Sequence, residues 1–347
     1  MFFLPRVLPA KPGEYPLLAS GEDRRWWRVL LGLAVGTIVV IILSVAVVFP
    51  FLALDTSGVI IGSLDLGNDI DMTDPLIFSM MMLSLIIFIP ATLIAALLGF
   101  RYRLGYLFSV EGRIRWAWLG KTYAVALVFF GVIYLGLALF EGTTFHPAEN
   151  IWLIVILVLI LTPLQSAAEE IVFRGLVMQV IGTWFPRPTV TVVLSTVVSA
   201  VLFSLAHGSL DPGILVQLAG FAAFCIYLTW KTGGLEAAIA FHAGNNVSIF
   251  LIEAFEGQTS SLITEDTTAT AGVTIFSLVI GLLLVALLTW MFKKTGRSNT
   301  HDPMKRPQPT PAYLHKRLTK GEFIPEYANL YPAHVAAQYG YHRHYEL

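Results

Sequence analysis

Charge and cysteine are both scarce in this chain. Asp, Glu, Lys and Arg make up 13% of its 347 residues, about half the share of a soluble domain. A protein that meets water on every side is excluded by that deficit. The single cysteine, Cys225, lies in an apolar run, so an internal disulfide and a Cys-ligated metal cluster are excluded too. The N-terminus (Met-Phe-Phe-Leu-Pro-Arg, then Pro9, Pro12 and Pro16) lacks a basic region followed by an apolar stretch and a cleavage site. No signal peptide is expected there. HExxH, a glycine-rich phosphate loop, a Ser/His/Asp arrangement, a basic nucleic-acid stripe and an internal repeat are all missing.

Apolar sequence is what the chain has instead. Hydrophobic residues account for 56% and the mean hydropathy is +0.72. The expected fold class is all-α, a polytopic membrane bundle of about eight transmembrane helices. Apolar stretches fall at about residues 29–54, 75–99, 117–140, 150–183, 189–207, 214–231, 235–254 and 271–292. Each is near the roughly 20 residues that cross a hydrocarbon core. Residues 1–28 read as an N-terminal tail and 293–347 as a mostly disordered C-terminal one, Pro-rich and then Tyr/His-rich. Lys and Arg cluster in the tails, the 101–121 loop, the 184–188 turn and the 231–234 turn, while Asp55, Asp65, Asp69, Asp71 and Asp74 share one alternate loop. With Arg174 counted to the inner half of the fourth helix, this pattern places both termini in the cytoplasm.

Against that background, Glu169-Glu170-Ile171-Val172-Phe173-Arg174-Gly175 stands out. Ionisable groups at membrane depth face a bundle interior and mark functional sites by default. Glu170 and Arg174 are four apart with the acid first, the favourable order for an intrahelical pair. Glu169 points about 100° away on a helix of 3.6 residues per turn, and no sequence-local partner is expected for it. The spacing predicts support from Glu170 with Arg174 and chemistry from Glu169. An ion-pair network that pins helices would use the same residues.

His207 closes the fifth span in Phe203-Ser204-Leu205-Ala206-His207-Gly208. The turn at Pro186 and Pro188 lies about midway between Glu169 and His207, so an antiparallel helix pair brings both to similar depth. A histidine interacting with a helix end is the structural alternative. In the seventh span, His242 and Asn246 share a helix face and Asn245 points elsewhere, towards an interhelical hydrogen bond. Helix–helix glue is the alternative for that pair. A carboxylate with a histidine can activate a water, while a second histidine and an amide stabilise an oxyanion. Equally, Glu169, His207 and His242 could ligate a catalytic zinc with an open position for water. Both arrangements hydrolyse a peptide carbonyl.

The ordered set Glu-Glu-x-x-x-Arg, Phe-x-x-x-His and His-x-x-x-Asn resembles the CPBP (Abi) intramembrane proteases, which include the type II CAAX prenyl endopeptidases. Here the motifs are Glu169 to Arg174, Phe203 to His207 and His242 to Asn246, within about residues 150–250. The resemblance implies an eight-helix bundle and a cavity open to the cytoplasm. It implies Glu169 and His207 as the water-activating pair, and His242 and Asn246 as stabilisers of the tetrahedral intermediate. Glu170 and Arg174 would be supporting residues. The family is classed among metalloproteases, yet a metal-free glutamate mechanism has been proposed, so zinc and no metal are both carried forward. The implied partners are the lipid bilayer and a membrane-associated peptide or protein substrate, lipidated or not; nucleic acid is not expected. A non-proteolytic peptide-binding, immunity or regulatory protein is the first alternative. A transporter using Glu169 as proton carrier is the second, and the absence of repeat symmetry opposes it.

Overall fold

The computed structural model describes residues 12–20, 26–56, 73–208, 210–257 and 269–302, with short pieces beyond 313. Eight helices among them are long and apolar enough to cross a membrane. The chain is therefore an integral multi-pass membrane protein. They are α1 (Trp26–Thr56), α2 (Pro75–Ile86) continuing into α3 (Phe88–Leu98), α5 (Trp116–Phe140), the helix from Ile151 to Trp184, α8 (Pro188–His207), α9 (Pro212–Thr232), α10 (Glu236–Glu256) and α11 (Ala271–Lys294). A short α4 (Gly105–Phe108) lies between α3 and α5.

Local chemistry sets several boundaries. The Asp74 carboxylate accepts from the Leu76 and Ile77 amides and caps α2, Asp211 accepts from Ile214 and caps α9, and Thr270 accepts from Val273 and caps α11. Pro75, Pro188 and Pro212 open their helices where a missing N–H costs nothing. The second span, expected as one helix, breaks at Ile87. Pro90 has no N–H for the carbonyl four residues back and crowds that turn. The fourth span also departs from one regular helix. It runs as α6 (Ile151–Glu170), a π-helical segment (Ile171–Val177) and α7 (Met178–Trp184).

Helix α10 is the hub, packed against α5, α6 and α9. Its buried face is built from Ala237, Ala238, Ala240, Phe241, Ala243 and Gly244. A Cβ on Gly244 would stand 2.7 Å from the Ala126 Cβ of α5, so glycine sets this helix spacing.

At the end of the bundle that carries α4, a polar cap closes it. The Tyr15 hydroxyl donates to the Leu107 carbonyl, and Trp230 Nε1 donates to the Glu14 carboxylate. Gln179 Nε2 donates to the Tyr106 carbonyl at 2.9 Å. A two-stranded antiparallel ribbon pairs β1 (Gly13–Glu14) with β2 (Thr300–His301). Residues 13–20, expected as part of a free tail, are thus docked on the bundle. Tyr15 is fully buried, which pushes its hydroxyl above the usual phenol range. Asp302–Leu347 forms a separate unit, of which α12 (Ala333–Gln338) is described; the expectation of a disordered tail falls mostly outside the described residues.

Candidate active site

Three elements converge at one depth. The helix from Ile151 to Trp184 has 34 residues, about 50 Å at 1.5 Å per residue. That exceeds the roughly 30 Å hydrocarbon core, and its α7 end projects to meet Pro16 and Leu17 at Gly182. Helix α8 starts from that projecting end. Its last turn therefore lies beside the acidic motif rather than at the far surface. Phe203 records this placement. Its ring touches Phe173 (4.7 Å between centroids), His207 (5.9 Å) and His242 (6.4 Å). Sequence reasoning expected Glu169 and His207 at matching depth, and this shared aromatic contact is in keeping with it.

Glu170 and Arg174 form the expected pair, Nη1 to Oε1 at 3.0 Å, with both side chains fully buried. The same Glu170 Oε1 lies 2.8 Å from His242 Nδ1. Because a carboxylate oxygen accepts, Nδ1 is the donor. Arg174 also lies under Phe203, 4.9 Å from the ring centroid, a cation–π contact in a dry setting. Glu170 Oε2 and Arg174 Nε and Nη2 have no hydrogen-bond partner among the described protein atoms. The π-helical turns hold Phe173 and Arg174 against Phe203; such turns recur at functional sites.

Glu169 does have a local partner, which corrects the sequence picture. Gln165, one turn back, donates from Nε2 to Glu169 Oε1 at 2.6 Å. The other oxygen, Oε2, stands 3.6 Å from His242 Nε2. His242 thus sits between two carboxylates, one at each ring nitrogen. Asn246 Nδ2 lies 3.4 Å from Gln165 Oε1, and Asn245 Nδ2 donates to Asn246 Oδ1 at 3.0 Å. Tyr134 on α5 donates its hydroxyl to Asn245 Oδ1 at 2.6 Å, the interhelical bond expected of Asn245. Glu169, Glu170, Arg174, His242 and Asn246 are therefore brought together.

His207 is near this group but outside its hydrogen bonds. It is exposed at the end of α8, where Gly208 adopts φ +67°. Its Nδ1 donates to the Phe203 carbonyl at 2.7 Å, which leaves the Nε2 lone pair free in the neutral ring. Sequence reasoning missed Gln165, although its i−4 position before Glu169 was available as a signal.

For zinc, the donor set is incomplete. Glu169 Oε2 and His242 Nε2 face each other, but no group of three or more His, Cys, Asp or Glu side chains among the described residues could hold a metal ion. A catalytic zinc needs three protein ligands, so the arrangement does not fit the ion.

Comparison with known proteins agrees with the motif resemblance. Residues 147–248 match the family of Rce1-like type II CAAX prenyl endopeptidases. The matched segment contains Glu169, Glu170, Arg174, His207, His242 and Asn246. The uncharacterized protein YyaK of Bacillus subtilis (strain 168) is 29% identical over 163 residues, covering 44% of this chain and 52% of that protein. The chain thus aligns with about half the length of this curated relative. No solved structure matches.

Proposed function

We propose that this chain is an intramembrane endopeptidase that hydrolyses a peptide bond of a membrane-associated peptide or protein, lipidated or not. The supporting observation is Glu169: a partly exposed carboxylate at bundle depth, one oxygen held by Gln165 and the other turned to His242. Its neighbours supply the remaining parts of a hydrolytic site, and the Rce1-like match over residues 147–248 supports a protease of this kind.

In this mechanism a water beside Glu169 Oε2 gives up its proton to Glu169, with the His207 Nε2 lone pair orienting it. The hydroxide adds to the substrate carbonyl carbon, and the carbonyl π pair moves to oxygen. That oxyanion accepts hydrogen bonds from Asn246 Nδ2 and His242 Nε2. With Nδ1 donating to Glu170, His242 donates from Nε2 when both ring nitrogens carry a proton. Collapse of the intermediate breaks the C–N bond, and the leaving amine takes the proton from Glu169. Arg174 offsets the charge of Glu170 and keeps its carboxylate against His242. The polar cap faces the cytoplasm in this proposal, with both termini on that side.

The test is hydrolysis by purified protein in liposomes of a library of lipidated and membrane-inserted peptides, read by mass spectrometry. Glu169→Gln is expected to lower the rate by about 10³-fold in a folded protein, and a chelator to leave the wild-type rate unchanged. A rate equal in wild type and Glu169→Gln overturns the role of Glu169. Peptide binding without cleavage points instead to a non-proteolytic binding protein.

A further inference from the structure

We infer that Gln165 is a positioning residue that sets the orientation of both Glu169 and Asn246; this rests on the proteolytic proposal above. Gln165 is 4% exposed and lies in an apolar helix, where a buried amide must be satisfied or it destabilises the bundle. Both ends of its side chain are used. Nε2 donates to Glu169 Oε1 at 2.6 Å, while Oε1 accepts from Asn246 Nδ2 at 3.4 Å and from the Ser166 hydroxyl at 3.3 Å.

These bonds belong to a chain that runs in one direction. The Tyr134 hydroxyl donates to Asn245, Asn245 to Asn246, Asn246 to Gln165 and Gln165 to Glu169. Every amide passes its donor end forward, and the last acceptor is the carboxylate. Aligned hydrogen bonds polarise one another in a low-dielectric interior. The direction has two consequences at the site. First, Gln165 occupies Glu169 Oε1, so Oε2 is the oxygen that turns to His242. Second, the Asn246 amide is fixed from both sides: its oxygen accepts from Asn245 and one N–H reaches Gln165. The second N–H is left to meet a substrate oxyanion. Without Gln165 the Asn246 amide can turn its oxygen towards that oxyanion, which repels it. Gln165 touches no reacting atom and acts through Glu169 and Asn246.

The test uses full-length protein in liposomes with a peptide from the library that wild type cleaves. Gln165→Met keeps the length and apolar volume but has neither an amide donor nor a carbonyl. It is expected to lower kcat by about tenfold to a hundredfold, with KM within about twofold. Adding Asn246→Ala should then cost less than the product of the two single losses. A merely space-filling glutamine would be replaced by methionine without loss. Wild-type kcat in Gln165→Met beside an inactive Glu169→Gln overturns this inference and leaves the proteolytic proposal standing. Should Glu169→Gln match wild type, the role of Glu169 in the proteolytic proposal falls, and thermal unfolding in detergent decides the network. Non-additive Tm shifts for Gln165→Met and Asn246→Ala uphold it; additive shifts overturn it.

Discussion

Two buried Arg–Glu pairs hold this bundle, and they are built differently. Arg115 and Glu236 meet where α5 and α10 begin, with side chains 1% and 2% exposed. Glu236 Oε1 accepts from the Arg115 backbone N–H at 2.9 Å and from Nε at 3.0 Å, and Oε2 accepts from Nη2 at 2.6 Å. Nη1 donates to the Thr232 carbonyl at 2.8 Å. The fork-to-carboxylate geometry satisfies both oxygens and most donors. Glu170 and Arg174 share one bond of 3.0 Å, and the same carboxylate oxygen also takes His242. The first pair spends its hydrogen bonds on itself. The second lends its carboxylate to a histidine that faces Glu169. Equal burial therefore does not mean equal purpose: closed bonding marks the lock, and the incomplete bonding beside a titratable ring is where the proposed chemistry is placed.

Breaking the lock should have the largest effect. Arg115→Met leaves Glu236 buried without its cation, a loss of about 3–5 kcal/mol. Low yield and a sharply lower Tm in detergent are expected; an unchanged Tm would erase the contrast between the pairs. Next comes the chemical side. Asn246→Ala is expected to lower kcat by about 10²-fold with little change in Tm. If its Tm falls as far as that of Arg115→Met while kcat per folded molecule holds, Asn246 belongs with the structural group. The smallest effect sharpens the comparison from outside both pairs. Asp211 caps α9 and accepts from the Ile214 and Ala269 amides, which hold its carboxyl below the ordinary value of 3.8. Its contribution is present above that unfolded value and fades as pH falls through the lower folded one. Asp211→Ala should lower Tm slightly at neutral pH, with the gap to wild type closing in acid. A gap that persists in strong acid contradicts the capping role.

Much of this architecture was legible in the sequence. The expected span 117–140 is observed at Trp116–Phe140, and 189–207 at Pro188–His207. Length, hydropathy and proline carry that information locally. The ion pair of Glu170 with Arg174 was legible for the same reason, since i, i+4 spacing is a helix property. Glu236 was not: its partner lies 121 residues away, and nothing local to Glu236 points to Arg115. The docking of Glu14 and Tyr15 was hidden likewise, because a short polar stretch looks like a tail until Leu107 and Trp230 receive it. The π-helical turns over Ile171–Val177 escaped too, since the apolar periodicity of a regular helix carries no sign of a wider turn. Gln165 was visible but neutral, and attention to charge passed over it.

One side-by-side measurement tests the central claim most directly: turnover and thermal unfolding of Glu169→Gln and Glu236→Gln, each in liposomes with a peptide that wild type cleaves. Glu169→Gln should keep a wild-type Tm and lose about 10³-fold in turnover. Glu236→Gln should lose Tm, with near-normal turnover in the molecules that remain folded. Full turnover by a folded Glu169→Gln would contradict the assignment of Glu169 as the group that handles the water.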